Sequence, residues 1–203
     1  FGPDIPAFCP QGVPFMHNDA FTSVVDMMNS MGCTSIFNAS DVEASYGKVM
    51  FEQLMALGQD FPNKKLAIIH GPYEWEAGFT KAMADAAAAA GWEVVMNEEV
   101  PYESVQWQGI LSKIRDANPG LVHIEVLDAG LTYTFLQQYF DNPVKGALVN
   151  AGYAASVPAF GDVIAQGKVE RFAPGRGIIS AVLVVVDADE GRCRLDHPLH
   201  AAG

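Results

Sequence analysis

The sequence predicts an α/β fold in which a parallel sheet is flanked by helices. Short apolar runs, typical of buried strands, alternate with longer amphipathic segments from residue 41 to residue 165. Strands that alternate with helices are joined by right-handed crossovers and lie parallel in one sheet. The composition agrees, because 50% of the residues are hydrophobic and the mean hydropathy is +0.13. A chain of this composition can bury a core, which excludes a wholly disordered protein.

The individual elements follow from local patterns. Strands are predicted from the apolar runs at 66–70, 93–96, 121–126 and 146–150. Helices are predicted at 41–57, 75–90, 104–118, 131–140 and 157–164. Ser40 and Glu43 have the spacing of a capping box at the start of the first helix, and Ser104 is the expected N-cap of the third.

The chain divides into three segments of different composition. Residues 1–40 are rich in Pro and Gly and are too short to close a core alone, 41–167 carry the alternating pattern, and 168–203 form an atypical tail. Lys predominates among the basic residues up to residue 170, and Arg replaces it beyond that point. This change predicts a tail of different origin, although its apolar run at 182–186 is long enough to pair as a strand.

The charge excludes two classes of partner. The chain has 12 basic and 24 acidic residues, a net charge of −12 and a pI of about 4.6. A protein that binds nucleic acid needs a basic patch to neutralise phosphates, so we expect no nucleic-acid partner. No apolar run approaches the roughly 18 residues of a membrane span, so we expect no membrane insertion.

Motifs for catalysis, cofactors and metals are missing from the sequence. There is no GxGxxG after a strand, no GxxxxGK[ST], no GxSxG and no HExxH. Cys9, Cys33 and Cys193 are widely spaced and form no Cys/His cluster, so we expect no metal site, and the spacing leaves a bridge between Cys9 and Cys33 open. The sequence therefore predicts no cofactor, and the missing motifs count against an enzyme without excluding one.

The candidate site lies where the strands end. Ligands of open parallel sheets bind beyond the carboxyl ends of the strands, here the loops at 71–75, 97–102, 127–130 and 150–153. Aromatic, carboxylate and amide side chains there suit a small polar ligand with an apolar or cationic part. The candidate residues are Tyr73, Glu74, Trp75, Glu125, Asp128, Asn150 and Tyr153.

Each candidate also has a purely structural interpretation. Trp75 at a helix start can pack in the core, and Asp128 can be an N-cap. Glu74 and Glu76 favour the dipole of the helix that they begin, which requires no ligand. Glu125 stands in a strand that is mostly apolar, where an unpaired carboxylate is costly. The sequence supports a structural and a functional role for Glu125 equally.

The order of several segments resembles a known family. The stretch 63–71, an aromatic–Glu–aromatic loop, an Ala-rich helix, and the segments 91–95 and 98–101 follow one another as in type I periplasmic solute-binding proteins of the branched-chain amino acid transporter family. Later segments continue the similarity, which covers about residues 12–167; they are 107–119, 135–138, 144–146, 152–153 and 157–160.

The resemblance implies one lobe of a type I periplasmic binding fold, with part of the other lobe. It implies a periplasmic protein that closes two lobes on a small polar solute, an amino acid, amide or related compound, and delivers it to an ABC transporter permease. Residues 41–167 would form the second lobe, 1–40 a remnant of the first lobe with the crossover, and 168–203 the tail that departs from the family.

The resemblance also adds residues to the candidate site. A small residue and a hydroxyl that hold the ligand carboxylate in the family correspond to Ala20, Phe21 and Thr22. Phe21 stands where the hydroxyl is expected, which argues against an α-amino acid. Two alternatives stay open: a ligand-sensing domain of a receptor or regulator with the same fold, and an α/β enzyme of flavodoxin-like shape.

Overall fold

The computed structural model describes residues 3–18, 21–103, 105–157 and 183–185. Its strands, in chain order, are β1 (Phe15–His17), β2 (Ile36–Asn38), β3 (Lys65–His70), β4 (Glu93–Glu99), β5 (Leu121–Glu125), β6 (Leu148–Asn150) and β7 (Leu183–Val185). Its helices are α1 (Asp4–Phe8), α2 (Thr22–Ser30), α3 (Glu43–Ala56), α4 (Glu74–Ala89), α5 (Trp107–Ala117) and α6 (Ala129–Asp141). No helix among these residues is long and apolar enough to cross a membrane.

The described chain forms one five-stranded sheet and one two-stranded sheet. The larger has the strand order β4-β3-β5-β6-β7. Strands β3 to β6 are parallel, as predicted, and β7 runs antiparallel to β6. The α/β prediction is confirmed. The tail supplies β7 within the predicted run at 182–186, and its remaining residues lie outside the described part of the chain.

Helices cover both faces of the large sheet. Helices α5 and α6 bury one face, in a core whose largest members are Trp107, Phe135 and Tyr139. Helices α3 and α4 bury the other face, where Phe51 and Phe79 are almost fully buried. Because β3 and β5 are covered on both faces, consecutive residues are buried along both strands, from Leu66 to His70 in β3 and throughout β5.

The N-terminal residues form a separate small cluster. Strands β1 and β2 pair in parallel, and helices α1 and α2 enclose a core of Ile5, Val24, Met28 and Ile36. Cys9 and Cys33 form a disulfide in this cluster, with Cα atoms 5.3 Å apart. A cluster with so few buried side chains gains stability from the bridge, which restricts the unfolded chain.

Two predicted helix starts are wrong. Helix α3 begins at Glu43, and its N-cap Val42 makes no side-chain capping bond. Ser40 hydrogen-bonds Asn38 instead of closing the predicted capping box. Helix α5 begins at Trp107, three residues after Ser104, which itself lies outside the described residues. All but the first residue of the predicted helix at 157–164 lies outside them too.

Close contact between α3 and α4 depends on Gly47. A Cβ atom at this position would collide with the backbone carbonyl of Phe79. A backbone carbonyl inside a helix cannot move away without disturbing that helix, so the crossing requires a residue without a side chain.

We expect Gly47→Ala to lower the free energy of unfolding by about 1–3 kcal/mol, because overpacking outweighs the better helix propensity of Ala. Gly109→Ala is the matched control, since Gly109 lies in α5 with nothing within 4 Å of an added Cβ. That variant should gain roughly 0.5 kcal/mol. Urea titrations of both variants measure the difference, and equal stabilities would contradict the packing argument.

We expect the double variant Cys9→Ser, Cys33→Ser to lose about 3 kcal/mol of stability in the N-terminal cluster, from loss of the loop constraint. The bridge spans 24 residues of sequence. A reducing agent should destabilise the wild type and leave the double variant unchanged, by the same urea titration. Equal sensitivity of both proteins to the reductant would show that the bridge contributes nothing.

Candidate functional site at the carboxyl-terminal rim

The loops that follow the parallel strands meet on one rim of the sheet. The β3 and β5 ladders continue into the rim, where the Gly71 N–H donates to the Glu125 carbonyl over 3.2 Å. The loop after β4 joins through the Val100 N–H, which donates to the His70 carbonyl over 2.8 Å. The ends of β3, β4 and β5 therefore meet at this edge of the sheet.

A fully buried carboxylate, Glu76, connects three of these loops. It lies in the first turn of α4 and is 0% exposed. Its oxygens accept hydrogen bonds from the Tyr73 N–H at 3.0 Å, the Tyr102 hydroxyl at 2.7 Å and the Leu127 N–H at 2.6 Å. These donors follow β3, β4 and β5, so one side chain fixes the relative positions of three rim loops.

Burial raises the pKa of the Glu76 carboxyl above its usual value, and the nearby charge of Glu125 adds to the rise. The hydrogen bonds from Tyr102, Leu127 and Tyr73 act in the opposite direction, because they stabilise the ionised form. Burial also raises the pKa of the Tyr102 hydroxyl, and the hydrogen bond that this hydroxyl donates to the Glu76 carboxylate adds to the rise. This tyrosine therefore acts as a hydrogen-bond donor at neutral pH.

A second buried polar group lies beneath the rim. Glu125 is 1% exposed and ends β5, and the Tyr153 N–H donates to its Oε1 over 3.2 Å. Its Oε2 lies 3.4 Å from His123 Nε2, within ion-pair range but without hydrogen-bond geometry. Asn150 stands beside His123 in the β5–β6 ladder and is also fully buried. Neither Asn150 amide atom has a hydrogen-bond partner in the part of the chain that the structure describes.

Glycines hold the rim backbone against these carboxylates. A Cβ at Gly152 would collide with the Glu125 carboxylate, and a Cβ at Gly71 would lie 2.5–2.6 Å from the Glu76 oxygens. Any larger residue at these positions would lift the loop away from the buried charge. The rim is therefore closely packed over Glu76 and Glu125.

Aromatic rings remain accessible above this floor. Tyr73 is 50% exposed and Tyr153 is 43% exposed. Phe21 contacts Tyr73 edge to face, with ring centroids 5.8 Å apart. The start of α2 therefore approaches the rim from the N-terminal cluster.

Two polar contacts reinforce this approach. The Thr22 N–H donates to Glu43 Oε2 over 2.7 Å, and the Ser23 hydroxyl donates to Glu74 Oε1 over 2.9 Å. The Thr22 hydroxyl oxygen is buried without a hydrogen-bond partner. The N-terminal cluster and the large sheet thus face each other across the predicted site.

The predicted residues fall into distinct environments. Phe21, Thr22 and Tyr73 lie at the junction, which is the contact between the start of α2 and the rim. Tyr153 is exposed on the loop after β6, and its N–H donates to the buried Glu125. Asn150 is fully buried at the end of β6. Asp128 is exposed at the rim and caps α6, accepting from the Leu131 N–H over 3.0 Å. Ala20 lies outside the described residues.

Trp75 has a packing role in this structure. Its ring lies 5.1 Å from that of Phe79 and 6.3 Å from that of Tyr46, between α3 and α4. The structural interpretation of Trp75 is therefore realised, and its contact with a ligand stays a prediction.

Sequence reasoning missed Glu76, Tyr102 and Glu43 as organising residues. Glu76 was assigned only to the helix dipole, although a Glu at the third position of a helix is the usual partner of an N-cap backbone amide. This local pattern predicts the hydrogen bond that the Tyr73 N–H donates to Glu76. Its bonds to Tyr102 and Leu127, and the bond of Glu43 to Thr22, join residues far apart in sequence and have no local signal.

Two surface grooves lie among the described residues. One runs between α3 and α4, and the other lies beside the end of β4 and the start of α5. Neither is lined by a predicted site residue. The candidate site is therefore defined by the rim and the facing end of α2.

Solved structures of other proteins superimpose on this chain. A protein from Silicibacter pomeroyi described as a branched-chain amino acid ABC transporter superimposes with a TM-score of 0.75 and 25% identity, over 81% of this chain and 43% of that chain. The chain has the type I periplasmic binding protein fold. The predicted resemblance is thereby confirmed.

Other proteins of the type I periplasmic binding fold match at lower identity. A substrate-binding protein from Desulfitobacterium hafniense in complex with Leu has a TM-score of 0.55 and 14% identity, over 81% of this chain and 52% of that chain. A solute-binding protein from R. palustris in complex with benzoate has a TM-score of 0.53 and 14% identity, over 80% and 50%. No family model and no curated protein matches the sequence.

This chain spans about half the length of the solved structures it matches. All three are described as parts of ABC transporters, and two of them as a solute-binding or substrate-binding protein. At the level of the fold family, this favours the binding interpretation over the α/β enzyme.

We expect the stability contributed by Glu76 to decrease as the pH rises. Its pKa is higher in the folded protein than its ordinary value of 4.5, so the folded state binds more protons between these values. The contribution is complete below about pH 4.5, falls as the pH passes through the folded-state pKa, and is then constant.

Urea titrations of wild type and Glu76→Gln across this pH range measure the effect. The stability difference between them should shrink with rising pH, whereas Glu103→Gln, an exposed control, should show no such trend. A difference that widens with pH would reverse the assigned direction.

Proposed function

We propose that this chain is part of an extracytoplasmic solute-binding protein that captures a small polar solute for an ABC transporter. Residues 41–167 supply the second lobe, and residues 1–40 belong to the first lobe and the crossover. The solute lies between the rim and the start of α2 and is an amino acid, an amide or a related compound. The permease of the transporter is the partner that receives it.

The observation that carries this proposal is the junction between α2 and the rim. Phe21 and Thr22 come from one side, and Tyr73 and Glu74 come from the other. A ligand held between two parts of a chain can draw them together, which is the physical basis of hinge closure. The contacts across the junction are few, so a solute can replace them when it binds.

The remaining candidates have roles suited to a polar solute. Tyr73 and Tyr153 provide apolar contact area with a polar end. Asn150 has an amide NH2 that can donate and an amide oxygen that can accept, and neither has a partner among the described residues. Asp128 places a charge at the exposed edge. Trp75 supports the rim from below and contacts solute only if the first turn of α4 shifts.

The disulfide supports an extracytoplasmic location. Bridges such as Cys9–Cys33 form and persist in oxidising compartments, among them the bacterial periplasm. Together with the fold, this favours a periplasmic protein. The separate cluster that contains the bridge has little core of its own, so the bridge is of most use there.

We expect some member of a panel of amino acids, their amides, urea and small aromatic acids to raise the melting temperature of this chain. A solute at ten times its Kd stabilises the folded state by about 1.4 kcal/mol, or a few degrees. Affinity should be modest, because the chain spans about half of its structural neighbours.

Tyr153→Ala should weaken the response by removing an exposed ring at the rim. Phe37→Ala is the matched control, since Phe37 is 52% exposed and lies in β2, outside the four rim loops. If no member of the panel stabilises the wild type, or if Tyr153→Ala and wild type respond alike, the proposed site is wrong.

A further inference from the structure

The N-terminus of α2 is occupied from within the chain. The N–H groups and dipole at the start of a helix attract a carboxylate. Here that carboxylate is Glu43, whose Oε2 accepts the Thr22 N–H at 2.7 Å. Glu43 is 6% exposed, so its charge is removed from water and committed to this contact. The start of α2 would suit an anionic group of a solute, but the Glu43 carboxylate already occupies it.

Packing prevents Glu43 from leaving this position easily. It is the first residue of α3, and a Cβ at Gly78 of α4 would lie 2.5 Å from Glu43 Cγ and 2.9 Å from its Oε1. The side chain is therefore enclosed between α3, α4 and the start of α2. A solute carboxylate that approached α2 would meet a buried charge of the same sign, which costs free energy.

The facing rim offers no compensating cation. The four rim loops contain no Lys and no Arg, but they contain Glu74 and Asp128 above the buried Glu76 and Glu125. Among the described basic side chains, Lys81 pairs with Asp85, Lys48 pairs with Glu52, and Arg115 donates to the Asn142 carbonyl, all outside the rim loops. Lys113 pairs with Glu98 in the loop at 97–102, and Lys145 precedes β6. Lys64 and Lys65 lie at the opposite, amino-terminal end of β3.

The neutral groups of the junction suit a cation. Tyr73 and Tyr153 expose ring surface, and a ring face attracts an ammonium group. Among the described residues, neither the Thr22 hydroxyl oxygen nor the amide oxygen of Asn150, which is fully buried at the end of β6, has a hydrogen-bond partner. Both oxygens can accept hydrogen bonds from an ammonium group.

We propose that the solute is a small organic cation without a free carboxylate, because Glu43 fills the start of α2 and the facing rim loops carry carboxylates and exposed tyrosines but no Lys or Arg. This inference rests on the proposed solute-binding function and narrows it to amines and amino-acid amides. Glu43 is then a specificity-determining residue, which rejects carboxylates through its own charge.

Matched probes that differ in charge test the solute class. Benzylamine and benzoate share a ring and carry opposite charges, and leucinamide differs from leucine by the loss of the carboxylate. Thermal shift and calorimetric titration with the chain should show tighter binding of benzylamine than of benzoate, and of leucinamide than of leucine, by at least about fivefold. Added salt should reduce the difference.

Two charge-removing variants test the residues. Asp128→Asn keeps an N-cap residue while removing the charge, and it should weaken benzylamine binding roughly threefold to fivefold. Glu43→Gln should strengthen benzoate binding by about fivefold, because the N-terminus of α2 then lacks its internal anion. Glu52→Gln, on the exposed surface of the same helix, should change neither affinity.

The outcomes separate the two proposals. Tighter binding of benzoate than of benzylamine, or of leucine than of leucinamide, overturns the cation inference and leaves the solute-binding function standing. Failure of every probe counts against both. If Glu43→Gln does not fold, Asp128→Asn and the paired probes decide the inference without it.

Discussion

The buried carboxylate of Glu76 is the interaction on which the rim depends. A charge removed from water is costly unless donors surround it, and here the donors come from three different loops. No one of these loops can move far without exposing or orphaning the carboxylate. The loops that would contact a solute are therefore positioned relative to one another by the protein itself.

Glycine makes this arrangement compatible with close packing. Gly71 and Gly152 let the rim backbone rest directly on the oxygens of Glu76 and Glu125. The same device operates away from the site, where Gly47 allows α3 to approach α4. The rim backbone thus forms a thin layer over the buried carboxylates of Glu76 and Glu125. The exposed tyrosine rings of the rim therefore lie above a negatively charged interior.

Both sides of the junction between α2 and the rim carry carboxylates. On one side the start of α2 is neutralised by Glu43, and on the other the rim is acidic. The net charge of −12 does not by itself predict this, because acidic residues could lie anywhere on the surface. What matters is that the four rim loops contain no Lys or Arg, and that the described cations pair outside them, pair with Glu98, or lie at the opposite ends of the strands.

The sequence by itself determined the α/β class and the positions of strands β3 to β6 and helices α4 and α6 to within a few residues. It also predicted that the candidate site lies at the carboxyl-terminal rim of the sheet. Hydrophobic periodicity and strand order are properties of short segments, so they can be read without partners. Only the tertiary structure decided that Ser40 bonds Asn38 instead of capping α3, that Glu43 reaches Thr22, and that Glu76 joins three loops. The partner of a buried polar group is chosen by segments distant in sequence, which no local pattern records.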